Sequence, residues 1–226
     1  MSLHFIDENW KLIHLTASCE AFPGTHTAND IASKTLLMLR KFGIEDKNVV
    51  CCVTDNEPTM NAAADLMPFQ WMGCMDHLIE LITGVAFDGH GVQDTMKNAR
   101  SLVGYFTSSP LHTAKLLDQQ RVINANKDVL KPIQDIETRW WSTYSMVSRL
   151  LELKNAIMAL KGAQEINQNL GEIDWEVLEL LKTILGPFMK MQLFFEGSKY
   201  VTISFIPLMM RTLREIINNT INGCTQ

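Results

Sequence analysis

The sequence predicts a mixed α/β segment followed by an all-helical one. Three observations carry that prediction. Residues 49–54 are an apolar, mostly β-branched run that stops at one acid, Asp55; a buried strand delivering a carboxylate to a sheet edge has this pattern. Two short apolar segments around a polar turn come before it. Beyond about residue 75 the apolar spacing becomes helical almost everywhere.

In chain order, residues 3–6 and 10–16 read as a hairpin around Asp7-Glu8-Asn9. Pro23-Gly24 breaks the chain, and Thr27 then fits a helix N-cap with Asp30 complementing the dipole in the first turn. Ile31, Thr35, Met38, Leu39 and Phe42 share one face, and Gly43 suits the position past the helix end. After Asp55, Pro58 opens an Ala-rich helix, and residues 68–73 read as a further short strand. The order is therefore β-β-α-β-α-β. Helices follow from about His77. Val92, Met96, Ala99, Val103 and Phe106 mark one, and Ser109-Pro110 ends it and starts the next. Residues 119–131 read as containing a loop. Ser142 is the expected N-cap of a helix that buries Met146, Leu150, Leu153, Ile157 and Leu160. Residues 162–171 read as a polar linker. Asp174 caps a helix expected to bend or break at Gly186-Pro187, and Ser204 and Pro207 begin the last.

Composition bounds the function classes. The 226 residues are 46% hydrophobic and 20% charged, which suits a globular chain with ample core. A net charge of −5 argues against a basic nucleic-acid surface over the whole chain, though not against a local one. No apolar run approaches the ~20 residues that span a bilayer. The N-terminus has no basic stretch leading into an apolar one, so no signal peptide is expected. Five irregularly spaced cysteines fit a reduced, intracellular protein.

Four strings carry the candidate chemistry. They are Phe22-Pro23-Gly24-Thr25-His26-Thr27-Ala28, the strand ending in Asp55, Cys74-Met75-Asp76-His77, and Thr138-Arg139-Trp140-Trp141-Ser142-Thr143-Tyr144. Tyr200-Val201-Thr202-Ile203-Ser204 follows them. Read on its own, Asp55 suits a Mg²⁺ ligand or, more plainly, a cap or turn residue. Cys74 and His77 have the spacing of half a zinc site, but no second Cys or His pair accompanies them. Cys51 and Cys52 are adjacent in a strand and point to opposite faces. The plainer reading of Cys74 is a small buried residue. Lys97, Arg100, Lys115 and Arg121 suit a phosphate-facing stripe or a solvated face.

The order and spacing of these strings resemble the hAT family of DNA transposases, and most nearly the BED-type zinc finger proteins domesticated from it. The resemblance implies an RNase H-like core interrupted by a large helical insertion. Residues 1–74 would be a partial core lacking its first strand, and residues 75–226 the insertion. It implies a two-Mg²⁺ centre held by three acids, in which the metals drive in-line phosphoryl displacement. Asp55 matches the second acid. The first is expected on a strand before Leu3 and the third after the insertion, and residues 1–226 carry neither match. Asp55 then reads as a remnant that binds Mg²⁺ weakly or not at all. The resemblance makes His77 an auxiliary beside the scissile phosphate, with a satisfied half-buried histidine as the alternative. It makes Cys74 and His26 structural or auxiliary residues. Arg139 would contact the DNA backbone and Trp140 would stack on a flipped base, leaving Trp141 to anchor the core.

The function expected is a nuclear, transposase-derived protein or fragment, catalytically inactive, with residual DNA or protein binding. Part of an active transposase and a non-functional transposon relic are the alternatives. The expected partners are DNA and a second copy paired along an open strand edge, with no membrane and no small-molecule substrate.

Overall fold

The computed structural model describes residues 1–85, 87, 89–136, 139–166, 173–197 and 200–224. Two compact units account for them. One comprises Met1–Ile79 and Gln192–Met210, the other Glu80–Met191 and Arg211–Gln226.

The first unit opens with β1 (Ser2–Ile6) and β2 (Leu12–Thr16), antiparallel, with Leu3 opposite Leu15 and Phe5 opposite Ile13. The turn is longer than the three residues expected. The Asp7 carboxylate accepts from the backbone N–H of Asn9 at 3.0 Å and of Lys11 at 2.8 Å. Those two hydrogen bonds hold the chain in a loop through Lys11, with Trp10 at a left-handed φ of 61° rather than on the strand. Helix α1 (Ala28–Lys41) starts as predicted: Thr27 accepts from the Asp30 N–H, and Gly43 follows the end at φ 67°. Glu20 ties the preceding segment to α1 through Lys34 at 2.7 Å and Lys41 at 2.8 Å. Those ammonium groups hold its carboxyl down at about 2.

Strand β3 (Cys51–Thr54) crosses over through α2 (Pro58–Asp65) to β4 (Gln70–Gly73), which pairs with it in parallel. The element order is the predicted one, but the sheet is not. Among the described residues β1 pairs only with β2 and β3 only with β4, giving two separate two-stranded sheets. The expectation of a buried strand at 49–54 fails for the same reason. With one neighbour and an open second edge, β3 leaves Val53 56% exposed, and Val50, just before the strand, is 84% exposed.

Helix α3 (Met75–Val85) begins two residues before His77. In the second unit, α4 (His90–Thr107) buries Met96, Ala99, Val103 and Phe106 as its spacing predicts. Helix α5 (Pro110–Ile123) runs further than expected. Gln120 fastens its last turn to the following segment, accepting from the Leu130 N–H at 2.8 Å and donating to the Leu130 carbonyl at 2.9 Å. Helix α6 (Trp140–Gly162) buries Met146, Leu150, Leu153, Ile157 and Leu160, again as predicted. Its N-cap is Arg139, not Ser142. The Ser142 hydroxyl lies inside the first turn, 2.7 Å from the Arg139 carbonyl, and accepts from the Ile136 N–H at 2.8 Å. Half of the expected 162–171 linker, residues 167–171, lies outside the described residues.

Helix α7 (Trp175–Phe195) is capped by Asp174, which accepts from the N–H groups of Glu176 and Val177. It runs through Pro187 without the expected break. Proline removes one backbone bond there, and buried Leu185, Phe188 and Met191 hold the helix on either side. Helix α8 (Ile206–Cys224) follows directly on a single 3-10 turn, Ile203–Phe205, with Pro207 in its first turn.

One polar cluster in the second unit joins α4, α6 and the segment between α5 and α6. The Asp135 side chain is fully enclosed and meets the Arg100 guanidinium at 2.9 Å and 3.0 Å. Thr143 and Gln134 also donate to it, at 3.0 Å and 3.1 Å. Removing one side of such a pair strands the other in a low dielectric. Asp135→Ala is therefore expected to cost about 3–5 kcal/mol in denaturant unfolding. A loss below about 1 kcal/mol, the range of an exposed pair, would show that water screens the pair.

Candidate functional site

The site forms where β3 and β4 end side by side. Their register sets Thr54 opposite Gly73. The Thr54 carbonyl accepts from the Cys74 N–H at 2.6 Å, and its hydroxyl accepts from the Trp71 indole at 2.8 Å. Asn56 reaches back across the pair, its amide donating to the Cys74 carbonyl at 3.4 Å. Its Oδ1 stands 1.9 Å from where a Cβ on Gly73 would lie, so only glycine fits there without displacing Asn56. Asp55 thus sits at the strand end beside Cys74, and α3 starts at once, with Asp76 and His77 in its first turn.

Asp55 is exposed, while Cys74 and His77 are half-buried. The capping role considered for Asp55 falls to Glu57, which accepts from the Met60 N–H at 3.0 Å and from the Thr59 hydroxyl at 2.9 Å. The Asp55 carboxylate has no hydrogen-bond partner among the described residues. Among those residues no group of three or more His, Cys, Asp or Glu converges to hold a metal ion. Burial pushes the Cys51 and Cys52 thiols up, and Cys51 raises Cys52 further, so both stay protonated and are poor thiolate ligands.

Sequence reasoning passed over Asp76. Its Oδ1 is buried with no hydrogen-bond partner among the described residues. Burial, with a smaller contribution from Glu196, raises its pKa above the usual carboxylate value. An acid in a first helical turn normally reads as a dipole complement. The only signal against that reading was its apolar setting between Met75 and Leu78-Ile79.

His26 closes the turn before α1. Its ring stacks on Phe22 at 4.6 Å, and Nε2 donates to the Phe22 carbonyl at 2.7 Å.

Arg139 and Trp140 lie in the other unit, at the start of α6; Thr138 of the same string lies outside the described residues. The two tryptophans are placed the opposite way from expectation. Trp140 is 4% exposed and Trp141 is 36% exposed. The helix phase explains it, because Trp140 shares a face with buried Thr143, Val147 and Leu150. Arg139 is exposed. The buried Trp140 indole N–H has no acceptor among the described residues. Of the basic stripe, Arg100 pairs with Asp135, Lys115 with Glu165 and Arg121 with Asp118, which suits a salt-bridged surface more than a phosphate track.

The raised Asp76 carboxyl has a stability consequence of definite sign. Its folded-state pKa lies above the unfolded one. The stability linked to its protonated form is therefore full at acid pH and lost as pH rises through the folded value. Asp76→Asn should gain thermal stability relative to the parent chain between about pH 4 and pH 7. A difference that stays constant across that range contradicts the assignment.

Comparison with known proteins bears on the whole arrangement. The family model of the ZBED1 RNase-like domain matches residues 1–72, and that of the ZBED1 RNase-like helical domain matches residues 72–184. A protein of Zea mays named as an AC transposase is 24% identical over 89% of this chain and 27% of its own length. A Talaromyces stipitatus protein named as the transcriptional regulator tpeD is 22% identical over 88% of this chain and 28% of its own. Human zinc finger BED domain-containing protein 4 is 28% identical over 51% of this chain and 10% of its own. The chain thus spans less than a third of the length of these relatives. With one family model covering half of it and a second covering the remainder of residues 1–184, the chain belongs to the ZBED1 RNase-like family and is a hAT-like, transposase-derived protein.

Proposed function

We propose that this chain is a DNA- or protein-binding unit of transposase origin that does not by itself assemble a strand-cleaving centre. The observation that carries the reading is the isolation of Asp55. Two-metal phosphoryl transfer needs several carboxylates converging on ions ~4 Å apart. Asp55 stands exposed at the end of β3, with Glu57 committed to a helix cap and no converging metal-ligand group among the described residues. Cys74 follows the adjoining strand end and His77 lies in the first turn of α3, the places an auxiliary pair would take.

We read β1–β2 and β3–β4 as two flanks of one RNase H-like sheet, residues 1–74, with residues 75–226 as its helical insertion. The support is that, among the described residues, β1 and β3 each have only one paired neighbour, and that Phe5, Ile6 and Val53 are exposed on these strands. A strand added between the two pairs would cover both edges, and in its absence the same edges favour self-association. The DNA-facing element is the start of α6, where exposed Arg139 meets backbone phosphate and Trp141 offers an aromatic face. Trp140 keeps a packing role while its ring stays enclosed. DNA as the partner places the work in the nucleus. No helix among the described residues is long and apolar enough to cross a membrane.

A second reading, part of an active transposase, is favoured by the chain covering less than a third of its relatives' length. One experiment tests whether residues 1–226 cleave DNA on their own. Residues 1–226 are incubated with single-stranded and branched DNA in Mg²⁺ or Mn²⁺, with binding and cleavage followed together. The expected result is binding without cleavage. Metal-dependent cleavage that disappears in Asp55→Asn would establish the second reading and overturn the first.

The two tryptophans provide a further check. Trp141→Ala is expected to weaken single-stranded DNA binding by about 1–3 kcal/mol, one lost base stack, with little change in melting temperature. Trp140→Ala is expected to cost about 3–5 kcal/mol of folding stability, as for a buried aromatic. The opposite pattern would mean that Trp140 leaves its pocket to meet DNA.

A further inference from the structure

The hairpin carries a feature that the transposase reading does not use. His4 on β1 and His14 on β2 are directly opposed in the antiparallel register. Their rings stack with centroids 5.9 Å apart and an interplanar angle of 29°. Both side chains are exposed, and the ring stack is their only contact given among the described residues. Opposed positions of a strand pair hold their Cβ atoms about 4.5–5.5 Å apart, so the backbone fixes the spacing of the two imidazoles before any ligand arrives.

We propose that His4 and His14 form a two-imidazole clamp for a borderline divalent cation of the zinc or nickel class. Metal–nitrogen bonds of about 2.0–2.1 Å place an ion roughly 3 Å from the centre of each ligating ring. Two ring centres within about 6 Å can share one ion once each ring turns about its Cβ–Cγ bond, because the nitrogen lone pairs lie in the ring planes and the stacked arrangement does not yet aim them at one point. Neutral imidazole suits zinc, nickel and copper, whereas Mg²⁺ prefers an octahedron of oxygens. The clamp thus takes a different metal class from that considered at Asp55. Ser2 and Thr16, the next opposed pair on the same face, are hydroxyl residues outside the usual ligand set of these ions, so water fills the remaining positions. A bound ion ties β1 to β2 across a loop and stabilises the hairpin by mass action. That matters for a pair with no further strand neighbour among the described residues.

The test is titration of the full 226-residue chain with Zn²⁺, Ni²⁺ and Mg²⁺ in separate calorimetry runs, alongside the imidazole proton signals in NMR. The expected result is one Zn²⁺ or Ni²⁺ per chain, perturbing the His4 and His14 signals together, with no effect of Mg²⁺ at the same concentration. His4→Ala and His14→Ala should each weaken binding at least tenfold and abolish the Zn²⁺-dependent rise in melting temperature. Cys19→Ser, which removes the exposed thiol, should leave both unchanged. Absence of Zn²⁺ binding by the parent chain, retention in both histidine variants, or loss in Cys19→Ser would each overturn the clamp.

Discussion

The parallel pairing of β3 with β4 is the constraint on which the candidate site depends. Four residue pairs in register, closed by the Cys74 N–H on the Thr54 carbonyl at 2.6 Å, set the end of one strand against the start of α3. Neither strand is long enough to be stable alone, and a two-stranded sheet is marginal in water. Helix α2, whose Ala63 and Ala64 are buried, packs against both strands and against α1. The site therefore rests on a small α/β layer, and its geometry is only as firm as that layer.

The same arrangement accounts for the electrostatic contrast at the site. Asp55 leaves the sheet at an open edge and meets water, while Asp76 turns inward two residues after Cys74 and is partly desolvated. Two acids at neighbouring strand ends thus have opposite environments. That split suits a site that has kept its scaffold without keeping a converging set of charged ligands. A metal centre needs its carboxylates both close and ionised, and the surroundings of Asp76 work against the second condition.

Much of the fold was legible because its signals are local. The Thr27 cap, the Gly43 stop and the Ser109-Pro110 junction depend on residues within a turn of each other. The buried faces of α4 and α6 follow from their spacing alone. What failed was non-local. The exposure of Val53 depends on which strands lie beside β3, and residue pattern does not contain that information. The exchange between Trp140 and Trp141 depended on where α6 begins. With the cap expected at Ser142, both tryptophans stand before the helix and its phase does not separate them, so the core role goes to Trp141; with the cap at Arg139, the helix phase turns Trp140 inward. Family membership was legible from the order of four short strings. The opposed histidines were not, because their adjacency comes from the hairpin register rather than from spacing in the chain.

Whether Asp55 belongs to an assembled metal centre can be read from Mg²⁺ calorimetry on the 226-residue chain and on Asp55→Asn. An isolated carboxylate gives a dissociation constant of ~1 mM or weaker for the parent chain, close to that of the variant. Tight stoichiometric binding, in the micromolar range and lost in Asp55→Asn, would instead place Asp55 in a working metal centre.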